Sequence, residues 1–127
     1  MVRKTVMDEK VTISQLKNEI EEFSEEREWK KYHKPKDLAI SISIEAAELL
    51  EKFQWLTDQE ITQKLNDPEN LGKIKSELAD ILVYVIYLSN KLEFDISEII
   101  SDKMKENKKK YPVEKIRGKY KKYTEII

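Results

Sequence analysis

The chain has 127 residues, no cysteine, 39% charged residues and a formal net charge of -1. That length suits a single domain. Two glycines and three prolines are too few for the turns of a sandwich or barrel, and the lack of cysteine excludes disulfides and thiolate metal sites. The longest apolar run, Ile81 to Leu88, is far short of the ~20 residues a membrane span needs. The opening Met1-Val2-Arg3-Lys4 leads into no apolar signal core, so a cytoplasmic protein with no membrane association is expected.

In chain order, Leu16, Ile20 and Phe23 mark one face of a first helix from about Ser14 to Tyr32. Pro35 suits the first turn of a second helix, which continues to about Trp55. Thr57 and Glu60 form a Thr-x-x-Glu capping box that opens a short helix. Asp67-Pro68 supplies an N-cap and a first-turn proline for a third long helix reaching about Lys91. Asp95 and Glu98 give a similar start to a fourth, which stops before Tyr111-Pro112. No strand pattern competes. The expected fold class is all-α, of the four-helix-bundle type: one domain over residues 1–127, with a basic irregular tail from about 112. Ile81 to Leu88 is apolar on every side, and a helix of that kind must be covered on every side. That predicts a homo-oligomer, dimer or tetramer, assembled through the central helices.

Four carboxylates interrupt this apolar pattern. Glu45 and Glu48 stand three apart on the second helix, Glu77 and Asp80 three apart on the third, so each pair shares a helix face. Glu45 falls within the stripe Leu38, Ile42, Leu49, Phe53, and Glu77 and Asp80 flank Ile81, Tyr84 and Leu88. Unpaired charge beside apolar surface needs a counter-charge. Lys52 lies four after Glu48 and Lys73 four before Glu77, enough to pair one acid each and not all four. A bound cation fits the remainder, and a hard oxygen set with room for water and phosphate suits Mg²⁺. Alternatively, the acids reach water at the stripe edges and pair with lysines.

Other site chemistries are poorly supported. A di-iron bundle needs Glu-x-x-His pairs, whereas the only histidine is His33 and position 30 is lysine. Zinc lacks His and Cys ligands. From Lys103 to Lys122 ten basic residues face only Glu106 and Glu114, and Tyr111, Tyr120 and Tyr123 interleave with them. A basic segment alongside a metal-loaded acidic cluster suits a polyanion such as a nucleoside triphosphate. The same segment could serve a helical interaction or nucleic-acid-binding module, but a net charge of -1 argues against nucleic acid. It could also be a solvated lysine-rich tail.

Several stretches carry a family resemblance. They are Trp29-Lys30-Lys31-Tyr32-His33-Lys34-Pro35, Glu45-Ala46-Ala47-Glu48-Leu49, Phe53-Gln54-Trp55, Glu77-Leu78-Ala79-Asp80-Ile81-Leu82-Val83-Tyr84, and Lys103 through Asn107 to Lys110-Tyr111-Pro112-Val113. Together they resemble the MazG-like all-α nucleoside triphosphate pyrophosphohydrolases, in particular the dCTP pyrophosphatase branch. The resemblance implies a hydrolase that cuts between the α and β phosphates. It also implies Mg²⁺ held by the catalytic acids Glu45, Glu48, Glu77 and Asp80. It makes Trp29 and Trp55 walls of a base pocket with the substrate-binding His33 and Tyr84 nearby, and Lys103, Asn107 and Lys110 contacts to the triphosphate. At Ile20 the branch often has a histidine. Isoleucine cannot hydrogen-bond, which leaves dUTP or a broader set of triphosphates open beside dCTP or a modified dCTP.

Overall fold

The computed structural model describes residues 6–119 and Thr124. Met1 to Lys4, and Tyr120, Lys121, Lys122 and Tyr123 of the basic tail, lie outside the described residues. Among the described residues there is no strand.

Each helix begins where a side chain satisfies its first free amides. Thr12 opens α1 (Ile13–Glu26): its hydroxyl accepts from the Gln15 amide at 3.1 Å, and Gln15 Oε1 accepts from the Thr12 amide at 2.8 Å. Pro35 begins α2 (Pro35–Glu51) with its φ already helical. Thr57 and Glu60 close the expected reciprocal box, both bonds at 3.2 Å, ahead of α3 (Asp58–Leu65). The Asp67 carboxylate caps α4 (Pro68–Lys91) through the Glu69 amide at 3.0 Å. Asp95 caps α5 (Ile96–Lys110) through the Glu98 amide at 2.9 Å.

Two boundaries differ from expectation. α1 stops at Glu26 instead of running to Tyr32. Glu28 adopts φ 55°, the Glu28 amide donates to Glu25 O and the Trp29 amide to Ser24 O, both at 3.0 Å. That pair of bonds is a Schellman stop. A 3-10 turn over Lys30–Tyr32 then leads into α2. α2 itself ends at Glu51, with turns over residues 52–55. Within the tail expected to be irregular from about 112, one helical turn forms, α6 (Val113–Ile116).

Two compact units divide between Glu93 and Phe94, the first containing α1 to α4 and the second α5 and α6. The division falls after α4, inside the single domain expected over residues 1–127. In the first unit α4 is the central element, packed chiefly along α2 and also against α1 and α3. Its core is thin: among the described residues the fully buried hydrophobic side chains are Leu38 and Tyr87, at 1% and 7% exposure. Leu78, Leu82 and Val85 of α4 stay exposed, as do Ile40 and Ile44 of α2. Among the described residues, the helix read as apolar on every side therefore has one face left uncovered.

Candidate metal and nucleotide site

The packing of α2 against α4 brings Glu45, Glu48 and Glu77 together. One carboxylate oxygen from each lies within 4.8 Å of the others, and all three side chains are half-buried. Asp80 is exposed and outside that trio. It still lies close enough to Glu77 for its charge to be felt there. Neither lysine expected beside the acids closes an ion pair with them among the described residues. Lys73 bonds Glu69 at 3.7 Å, one turn back on its own helix. Lys52 acts on Glu77 only as a nearby charge.

Oε2 of Glu45 and Oε2 of Glu77 are shielded from water with no hydrogen-bond donor against them among the described residues. Buried acceptors without partners are costly. The crowding also shifts the carboxyls of Glu48 and Glu77. Glu48 is pushed above the ordinary carboxylate range, first by its contact with Glu45 and despite a partly offsetting contact with Glu77. Glu77 is pushed up by burial, then by Glu48, with Lys52 opposing. Three hard oxygen donors crowded together, two of them with a buried oxygen lacking a hydrogen-bond donor among the described residues, fit a divalent cation.

The aromatic residues fall into two groups. Trp29 is half-exposed and sets its ring edge-on to Phe23, 5.6 Å between centroids, with the Arg27 guanidinium 3.8 Å over the Phe23 ring. Trp55 stands 84% exposed in the turn after α2. An exposure that large excludes core packing for this tryptophan within its own chain. His33 and Tyr84 both border Tyr87, at 4.3 and 6.2 Å between ring centroids. Beside them lies a cavity of about 160 Å³ lined by Glu21, Lys30, His33, Tyr87, Asn90, Lys91 and Glu93.

Sequence reasoning missed most of that lining. Ser24, 1% exposed, places Oγ 3.3 Å from His33 Nδ1. Lys30 bonds Glu21 at 2.8 Å and Glu25 at 2.9 Å. Asn90 donates to Glu21 Oε2 at 3.1 Å and to Lys17 O at 3.3 Å. Glu21 and Asn90 are 69 positions apart, so no local spacing could have joined them.

Lys103, Asn107 and Lys110 all lie on α5, in the second unit. Lys103 and Lys110 both pair with Glu106, at 3.3 and 2.9 Å. Lys110 first and Lys103 second hold the Glu106 carboxyl below its ordinary range.

Comparison with known proteins places the chain in a family. The chain is 33% identical to dCTP pyrophosphatase 1 of Bos taurus over 115 residues, covering 91% of this chain and 68% of the relative. It is 32% identical to dCTP pyrophosphatase 1 of Homo sapiens over the same length and coverage. A crystal structure of a pyrophosphatase from Archaeoglobus fulgidus is 37% identical and superposes with a TM-score of 0.73, covering 88% of this chain and 99% of that one. Residues 40–126, which include all four acids of the paired motifs, match the profile of the MazG-like family. The chain belongs to the MazG-like family.

Proposed function

We propose that this chain hydrolyses dCTP, or a modified dCTP, to the monophosphate and pyrophosphate with Mg²⁺ as the metal. At the coarser level it is a nucleoside triphosphate pyrophosphatase, an enzyme of the kind its relatives represent. The observation that carries the reading is the carboxylate trio with its two orphaned buried oxygens. Glu45, Glu48 and Glu77 are the proposed ligands, with Asp80 completing the set from its exposed position one turn on. When bound, the cation supplies counter-charge to the triphosphate and acidity to coordinated water.

The rest of the reaction falls to this chain's side chains. Water attacks the α-phosphorus, the bond to the α–β bridging oxygen breaks, and pyrophosphate departs with the electron pair. One carboxylate of the four takes the proton of the attacking water. Trp29, His33, Trp55 and Tyr84 are proposed as base contacts; the 84% exposure of Trp55 leaves its ring face available for stacking. Lys103, Asn107 and Lys110 stand at i, i+4 and i+7 and can address the triphosphate from one face of α5. The ion pairs of Lys103 and Lys110 with Glu106 remain open to solvent and are therefore weak. A triphosphate, carrying more charge than one carboxylate, displaces Glu106 readily.

Self-association belongs to the same proposal. Leu78, Leu82 and Val85 on α4 and Ile40 and Ile44 on α2 are apolar side chains left exposed among the described residues. These side chains are already about half covered, so each stands to contribute roughly 1 kcal/mol when the rest is removed from water. Substrate choice is tested by pyrophosphate release from a panel of unmodified and modified deoxynucleoside triphosphates, with Mg²⁺ and with EDTA. Mg²⁺-dependent release led by dCTP is expected. Release led by dUTP would move the substrate assignment, and equal release from all four bases would mean a housekeeping triphosphatase of broad range.

A further inference from the structure

α1 offers the base no hydrogen bond from Ile20, yet the next residue, Glu21, is the acid that lines the 160 Å³ cavity beside His33 and Tyr87. Every lining residue lies in the first unit, together with the carboxylate trio. Tyr84 and Tyr87 follow Glu77 on α4 by seven and ten residues, about 10 and 15 Å at 1.5 Å per residue, comparable with the length of a nucleotide. The cavity wall is polar where Glu21 meets Lys30 and Asn90.

Resting on the dCTP reading above, we propose that Glu21 is a specificity residue that accepts a hydrogen bond from the exocyclic amino group of the base. The carboxylate has about four acceptor positions. Lys30 takes one and Asn90 another. The remaining positions can accept from an amino group, the pairing by which a carboxylate singles out cytosine N4. Glu21 also stays ionised. Partial burial alone would raise it, but the bonds from Lys30 and Asn90 outweigh that and hold it below the usual carboxylate range.

His33 complements this acceptor. Its Nδ1 faces the Ser24 hydroxyl, and Tyr87 packs against the ring at 4.3 Å, so both fix the imidazole in place. When Ser24 donates to Nδ1, the proton resides on Nε2, leaving a donor for a ring acceptor of the base. An acceptor for the amino group and a donor beside it match the hydrogen-bonding edge of cytosine. Uracil and thymine present a carbonyl where the amino group stands, and a carboxylate repels it. Asn90 and Lys30 are positioning residues: they hold the Glu21 carboxylate charged and aimed.

The test is the ratio of kcat/KM for dCTP to that for dUTP, in saturating Mg²⁺, for wild type, Glu21→Gln and Glu25→Gln. Gln is isosteric, can still meet Asn90, and can turn its amide to donate to a carbonyl. Glu21→Gln is expected to lower the ratio about tenfold or more. Glu25→Gln removes the other carboxylate on Lys30 without touching the cavity, and is expected to leave the ratio within about twofold. An unchanged ratio in Glu21→Gln overturns the inference, and so does an equal fall in Glu25→Gln, which would assign the effect to Lys30. A readout free of any folding change uses the wild-type protein and N4,N4-dimethyl-dCTP, which has no amino hydrogen to donate. Hydrolysis of that analogue as efficient as that of dCTP would likewise overturn the role of Glu21. Wild type that cleaves no nucleotide at all would instead remove the functional reading on which the inference rests.

Discussion

Replacing Leu38 by alanine removes three carbon atoms from the most completely enclosed hydrophobic side chain among the described residues of the first unit, 1% exposed. Leu38 lies on α2 two turns before Glu45, on the helix that carries Glu45 and Glu48 to Glu77. The transfer loss alone is about 2.4 kcal/mol, at roughly 0.8 kcal/mol per carbon. The cavity left behind adds to this, so a total of about 3–4 kcal/mol is expected. For a chain of this size that lowers the melting temperature by roughly 10–15 °C. Circular dichroism melts at one fixed protomer concentration measure the shift, because self-association would otherwise add its own contribution. A shift below about 3 °C would mean that the site around Leu38 collapses freely, and that α2 is not anchored by this side chain.

Leu82→Arg sets a charge into the exposed apolar face of α4. It is expected to weaken self-association about tenfold or more by sedimentation velocity; an unchanged distribution would place the interface elsewhere. Burial holds the His33 imidazole below its ordinary pKa of about 6.5, outweighing Glu21, which favours the charged form. The unfolded chain therefore takes up that proton first. The stability from neutral His33 is fully present above about pH 6.5 and lost as the pH falls through the lower folded value. Melting temperature plotted against pH should accordingly fall less steeply below about pH 6.5 in His33→Gln than in wild type, and parallel curves would contradict the assignment. Thr57→Ala removes one half of the capping box of α3 and is expected to cost about 1 kcal/mol in urea denaturation, with no loss meaning that α3 frays independently of the fold.

The helices were legible wherever the sequence supplies a cap. Asp67-Pro68 and Asp95 with Glu98 begin α4 and α5 because a short carboxylate side chain bonds the next free amide. The end of α1 was not legible, because the left-handed position that stops it is held by Glu28, and no glycine marks it. Lys73 shows a second limit. It is four residues from both Glu69 and Glu77, and spacing alone cannot say which acid it meets. The same limit applies to Asp80. Its spacing from Glu77 equals that of Glu48 from Glu45, but only the crossing of α2 over α4 decides which of the four acids converge. Ser24 under His33, and Asn90 on Glu21, join parts of the chain that no local pattern connects.

The central claim is that Glu45, Glu48 and Glu77 hold the metal on which hydrolysis depends. Glu45→Gln keeps the side-chain volume and removes one charge, so its fold is expected to survive. Pyrophosphate release from dCTP, measured across a Mg²⁺ titration for wild type and Glu45→Gln at equal protein concentration, tests the claim most directly. Wild type should rise from no release in EDTA to saturation, while the folded variant stays at background at every Mg²⁺ concentration. Full activity in Glu45→Gln, or wild-type release that persists in EDTA, would contradict it.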